Sequence, residues 1–70
     1  MKYLAIIEKT KTGFSAFSPD LPGCVATGSS RKEVRDNMKE AIAFHIEGML
    51  LEGLKAPRPH SSSAYLDVSA

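Results

Sequence analysis

The stretch FSPDLPGCVATGSSRKE, residues 17–33, holds two prolines, two glycines, a lone cysteine and a helix start. Pro19 and Pro22 lock their own φ angles and push Ser18 and Leu21 out of the α region. Gly23 is suited to a positive φ. Residues 18–23 therefore read as a stiff bend, and CVATG (24–28) as a short strand after it. Ser30 followed three residues later by Glu33 is a capping box: hydroxyl and carboxylate each satisfy a backbone N–H with no helical partner. A helix is expected from about Arg31 to Glu52. Gly53 stands where a left-handed C-terminal residue belongs, and Pro57 stops any continuation.

Outward from this stretch the pattern is simple. Upstream, KYLAIIE (2–8) is mostly apolar and rich in β-formers, KTKTG is a short polar loop, and FSAFS resumes apolar spacing. Two such runs around a short Gly-containing loop read as a hairpin. Leu4 and Ile6 share one face of the first strand; Tyr3, Ala5 and Ile7 share the other. With both faces apolar, a helix is expected over one side and a second cover, such as another subunit, over the other. Downstream, LKAPRPHSSS is a polar, proline-bearing connection. AYLDVS then alternates, Tyr65 and Asp67 against Leu66 and Val68, and reads as a final strand returning beside the first. The expected class is α+β in the order β-β-β-α-β. It is a single domain over 1–70, with a three- to four-stranded, mostly antiparallel sheet and one helix on one face. The helix stripe is Val34, Met38, Ala41, Ile42, His45 and Met49. Phe44 and Leu51 lie off this stripe and fit either a subunit contact or packing at the edge of the core.

Composition narrows the function classes. A chain of 70 residues buries only about 60% of its unfolded surface. With no Trp and a single Cys, it is expected to gain stability by self-association or from a partner. Nine Lys/Arg against eight Asp/Glu give a net charge of +1, unlike the concentrated basic face that drives nucleic-acid binding. One cysteine makes no internal disulfide and fits a reducing compartment. The start MKYLAIIEKTK lacks a cleavage pattern, and no apolar run approaches the roughly 20 residues that span a bilayer.

Candidate chemistry is sparse. A two-metal nuclease needs several acids at one spot, whereas Glu8, Asp20 and Asp67 fall at unrelated ends of the strands. Asp20, between two prolines, reads as a residue bonding its own turn. His45 sits on the helix stripe without a motif that supplies a nucleophile and an orienting group. It reads as a partly buried imidazole bonded to a strand carbonyl or a tyrosine. His60 falls in a polar loop and reads as solvated. Cys24 reads as a small buried apolar side chain rather than a nucleophile. Two histidines and one cysteine are too scattered for a metal set. TGSSRK lacks both common phosphate-loop spacings, and the capping box accounts for its residues. Arg31, Lys32, Arg35 and Lys39 make a modest basic patch on the outer helix. No catalytic, cofactor or metal residue is assigned, and no cofactor is expected.

The run GFSAFSPDLPGCVATGSSRKEVRDNMKEAIAFHIEGMLLEGLKAPRP, residues 13–59, closely resembles the HicB-like antitoxin family, also met as small uncharacterised bacterial proteins. The matching features are Gly13 with its aromatic second strand, SPDLPGCVATG at 18–28 and the hydroxyl-capped helix with Glu33. Asn37, EAI at 40–42, EG at 52–53 and PRP at 57–59 match too. The resemblance implies a partial RNase H-like fold without nuclease chemistry. It also implies a partner: a HicA-type toxin, small, similar to double-stranded-RNA-binding domains, which cleaves mRNA and is neutralised by direct contact. Many members add a C-terminal DNA-binding domain. None follows within these 70 residues, so autonomous DNA binding is not expected, nor is a membrane role. A cytoplasmic homodimer or homotetramer is. The expected partner-contacting residues are Asp20, Leu21 and Pro22 in the turn, Phe44 and Leu51 on the outer helix face, and Tyr65 in the last strand. The rival readings are an orphan structural or regulatory protein without a toxin, and a residual RNase H-like nuclease using Asp20, Glu8 or His45.

Overall fold

The computed structural model describes residues 1–69. Three strands, β1 (Ile6–Lys9), β2 (Phe14–Phe17) and β3 (Val25–Gly28), are followed by one helix, α1 (Arg31–Leu51). The sheet is antiparallel in the order β1-β2-β3, so β2 is central and β1 and β3 are its edges. This is the expected α+β arrangement. The register sets two apolar rows: Ile7, Ala16 and Ala26 pair across the sheet and face the core, while Ile6, Phe17 and Val25 pair across the opposite face.

β1 begins at Ile6, later than the expected Lys2. Ile6 pairs with Phe17, the last residue of β2. One residue further, the N–H of Ser18 turns away to the carbonyl of Cys24, and residues 2–5 have no strand to pair with. Tyr3 and Ala5 nonetheless face the core beside Ile7.

Helix α1 begins as the capping box requires. Ser30 has extended φ/ψ and its Oγ accepts the Glu33 N–H at 3.0 Å. The Glu33 carboxylate reaches back one residue further than expected and accepts the Ser29 N–H at 2.8 Å. The helix closes with Gly53 at φ 78°; its N–H donates to Leu50 and the Leu54 N–H donates to Met49, the paired Schellman bonds that satisfy the last carbonyls. Val34 and Met38 are buried, and Ala41, Ile42 and Ile46 pack beside them. Ile46 was not on the expected stripe, which instead included His45 and Met49; both of these are half-buried. Near its start the helix touches β3 directly. A Cβ at Gly28 would lie 2.5 Å from the Val34 nitrogen. One turn on, the Asn37 amide donates to the Thr27 carbonyl at 2.8 Å.

The expected final strand does not form. Residues 62–69 carry no strand, and Tyr65, Leu66 and Val68 are exposed. A strand exists only when its backbone groups find a partner edge, and this segment projects away from its own sheet. The radius of gyration is 13.8 Å and the longest extent 48 Å. A compact 70-residue domain would have a radius of about 11 Å.

Candidate partner-binding surface

The bend between β2 and β3 is built from its backbone upward. The Leu21 N–H donates to Ser18 and the Cys24 N–H to Leu21, at 3.2 and 3.0 Å. Gly23 takes φ 83°. This closure turns Leu21 inward, where it has no accessible surface, against a core of Ala16, Cys24, Val34 and Met38. The Cys24 thiol is itself buried, and burial pushes its pKa up. That disfavours the thiolate, as expected for a packing residue.

Asp20 does not bond its own turn. Its side chain is buried and holds the chain 40 residues away: Oδ2 accepts the N–H groups of His60 and Ser61 at 3.0 and 3.1 Å, and Oδ1 accepts the Ser61 hydroxyl at 2.6 Å. The Ser61 hydroxyl bond is the main cause that holds the carboxyl below the usual aspartate range. Burial opposes it, and the two backbone N–H groups and His60 add to it. His60, expected to be solvated, has an exposed ring whose Nδ1 nevertheless lies 3.2 Å from Asp20 Oδ1 and 3.1 Å from the Arg58 carbonyl. Two acceptors at one ring nitrogen assign the hydrogen to Nδ1. The Tyr3 hydroxyl adds a second tie, donating to the Pro57 carbonyl at 2.5 Å. Residues 57–61 are thus clipped across the turn, and the arm leaves from there.

The other candidate residues lie elsewhere. Phe44 and Leu51 are 72% and 82% exposed, one above the other on a helical face that also carries Gly48. Between this face and the β3 edge runs a groove of about 410 Å³, with Gly23 and Val25 on one wall and Phe44, His45 and Gly48 on the other. Its walls also include Ala41 and Met49, and Val25 at the strand side is 64% exposed. Val25 was not among the expected contacts; as an alternate residue opposite the core row, its outward position could have been read from strand parity. Pro22 is exposed beside Gly23. Tyr65 stands apart on the arm, fully exposed. Asp20 and Leu21 are turned into the fold and hold the turn in place. His45 is half-buried in the groove wall, and among the described residues it makes no hydrogen bond to a strand carbonyl or a tyrosine. Glu8, Asp20 and Asp67 do not converge. Among the described residues no three His, Cys, Asp or Glu side chains come together as a metal set, and no helix is long and apolar enough to cross a membrane.

Known proteins are similar to this chain. An uncharacterized 14.9 kDa protein of Haemophilus phage HP1 is 40% identical over 67 residues, covering 96% of this chain and 50% of that protein. A UPF0150 protein of Thermoplasma acidophilum is 40% identical over 62 residues, covering 87% and 90%. The chain thus spans half the length of the phage relative and most of the archaeal one. Among solved structures, a chain from a HicA3 and HicB3 toxin-antitoxin complex superposes with a TM-score of 0.74 at 37% identity, covering 86% of this chain and 70% of that one. Residues 3–69 match the family described as HicB_like antitoxin of bacterial toxin-antitoxin system, and with that match over nearly its whole length the chain belongs to the HicB-like antitoxin family.

Proposed function

We propose that this chain neutralises a HicA-type toxin by direct contact, in the cytoplasm, using the groove between the β3 edge and the Phe44–Leu51 face of α1. The observation that carries the reading is the exposed apolar surface at this groove, on a fold matched by a chain of a toxin–antitoxin complex. Phe44 is an aromatic anchor of the kind that dominates interface energetics. Val25, Pro22 and Leu51 border it, and Asp20 and Leu21 act from inside by holding the turn in one shape. A preformed surface loses less entropy on association. The role is one of binding rather than catalysis: the thiol is buried, the Asp20 carboxylate is taken up by Ser61 and His60, and the acids do not converge.

Co-expression with a HicA-type toxin tests this. The chain is expected to restore growth and to co-purify with the toxin. Phe44→Asp should weaken capture by about 2 kcal/mol or more while leaving the melting temperature of the chain unchanged, because the side chain is exposed. Toxin that remains active and unbound in the presence of the wild-type chain would sink the proposal.

A further inference from the structure

Opposite the proposed toxin surface, the other edge of the sheet is also open. Helix α1 lies over β3 and β2, and leaves the core-facing side of β1 uncovered. The result is a groove of about 570 Å³ between β1 and α1. Its floor is apolar, from Tyr3, Ala5, Ile7, Met38 and Ile42, and its helix rim carries Arg35 and Lys39. Asp36, between them, is engaged by Lys32 at 2.8 Å. Arg35 and Lys39 make no ion pair among the described residues. Beside this groove, β1 presents an edge with unused backbone N–H and C=O groups, a template for another strand.

The arm has the complementary character. Residues 62–69 are exposed, and no backbone hydrogen bond to them occurs among the described residues. They contain one charge, the acid Asp67, within the alternating apolar run Tyr65, Leu66 and Val68. The clip at Tyr3 and Asp20 sends this run outward rather than back along its own β1. Eight extended residues reach about 26 Å, enough to cross to a neighbouring molecule.

We infer that the arm of one chain adds as a fourth strand to the β1 edge of a second copy, in a reciprocal exchange. Run parallel to β1, the arm places Tyr65 over the floor near Tyr3 and Ala5. Asp67, two residues on and on the same face, meets the Arg35 and Lys39 rim. Leu66 and Val68 then extend the opposite apolar face, beside Leu4 and Ile6. Both faces and the backbone find partners at once, and the exchange closes with two-fold symmetry. Charge decides the orientation, since turning the arm over would put Asp67 on the apolar side and leave the two cations unmatched. The inference rests on the β1 edge and the arm, independently of the toxin surface.

The test uses the full chain in two versions that each add one cysteine, Tyr65→Cys and Ala5→Cys, the native Cys24 being buried. Mixed and oxidised, they are expected to give a disulfide-linked species containing one of each. In parallel, Asp67→Lys should raise the dimer dissociation constant in sedimentation by about tenfold, and adding Lys39→Glu should recover most of the loss. Tyr65 and Asp67 are exposed on the arm, so changes there leave the fold intact. A chain that stays monomeric, a disulfide that forms only within a doubly substituted single chain, or a dimer indifferent to Asp67→Lys would each overturn the inference.

Discussion

Leu21 shows most plainly how little core this chain has. It is fully enclosed, with Val34 and Met38 as the other large side chains in that state. Truncating an enclosed leucine removes its transfer energy and leaves a cavity, at a cost of about 3 kcal/mol. A domain of this size has a total stability of about 4–10 kcal/mol, so Leu21→Ala is expected to remove a third or more of it. Denaturant unfolding should show a large drop in midpoint with an unchanged slope, and a midpoint within error of wild type would refute the placement. Leu21 was expected at a partner interface, as part of a rigid turn that presents a preformed surface. What local sequence does not convey is that the three bonds closing 18–24 roll this side chain inward. Asp20 was misread for a related reason. An aspartate between prolines ordinarily serves its own turn, whereas its partners here lie 40 residues on, beyond the reach of any local pattern. Cys24 needed only small size and an apolar setting, and these its neighbours do convey.

At the scale of elements, what local chemistry dictates could be read in advance. Ser30, Glu33 and Gly53 fix the ends of α1 through bonds spanning five residues or fewer. Strand parity fixes which side of β1 faces the core. What depends on a distant partner could not be read: the start of β1, cut short where β2 enters the bend, and the strand at 65–68, which has the right alternation but no edge within its own chain. The clip between the turn and residues 57–61 is such a long-range feature, and it has a pH signature. Bonds from Ser61 and His60 favour the ionised Asp20 carboxylate and lower its native pKa. A lowered carboxyl pKa contributes stability in full above the unfolded value and loses it as pH falls through the native value. The clip should therefore hold at neutral pH, begin to weaken below about pH 4, and open on further acidification. Amide resonances of His60 and Ser61 are expected to titrate together in that range and to lose their protection from exchange. In Asp20→Asn the arm should be loose at every pH, and acid should have no further effect on these two amides. Amides of His60 and Ser61 that stay protected in the variant at pH 7 would contradict the clip.

For the whole molecule, the decisive fact is that a three-stranded sheet with one helix has two edges and too little helix to cover both. Helix α1 sides with β3 near its start, through Asn37 and the close approach at Gly28. It leaves β1 bare on the core side and, towards its C-terminal end, opens a second groove against Val25. The two grooves thus lie at opposite sides of the sheet, one proposed to receive an arm from a second copy, the other a toxin. Surfaces so separated should act additively, since residues more than about 7–10 Å apart with no shared partner seldom couple. The expected full assembly is two chains exchanged through their arms, each holding one toxin on its outer flank. Light scattering on mixtures with a HicA-type toxin should report a two-to-two complex. Phe44→Asp should weaken toxin capture and leave the dimer, and Asp67→Lys should weaken the dimer and leave one-to-one capture. If either substitution disturbed both associations, the edges would be sharing one interface, and the division of labour across the sheet would be wrong.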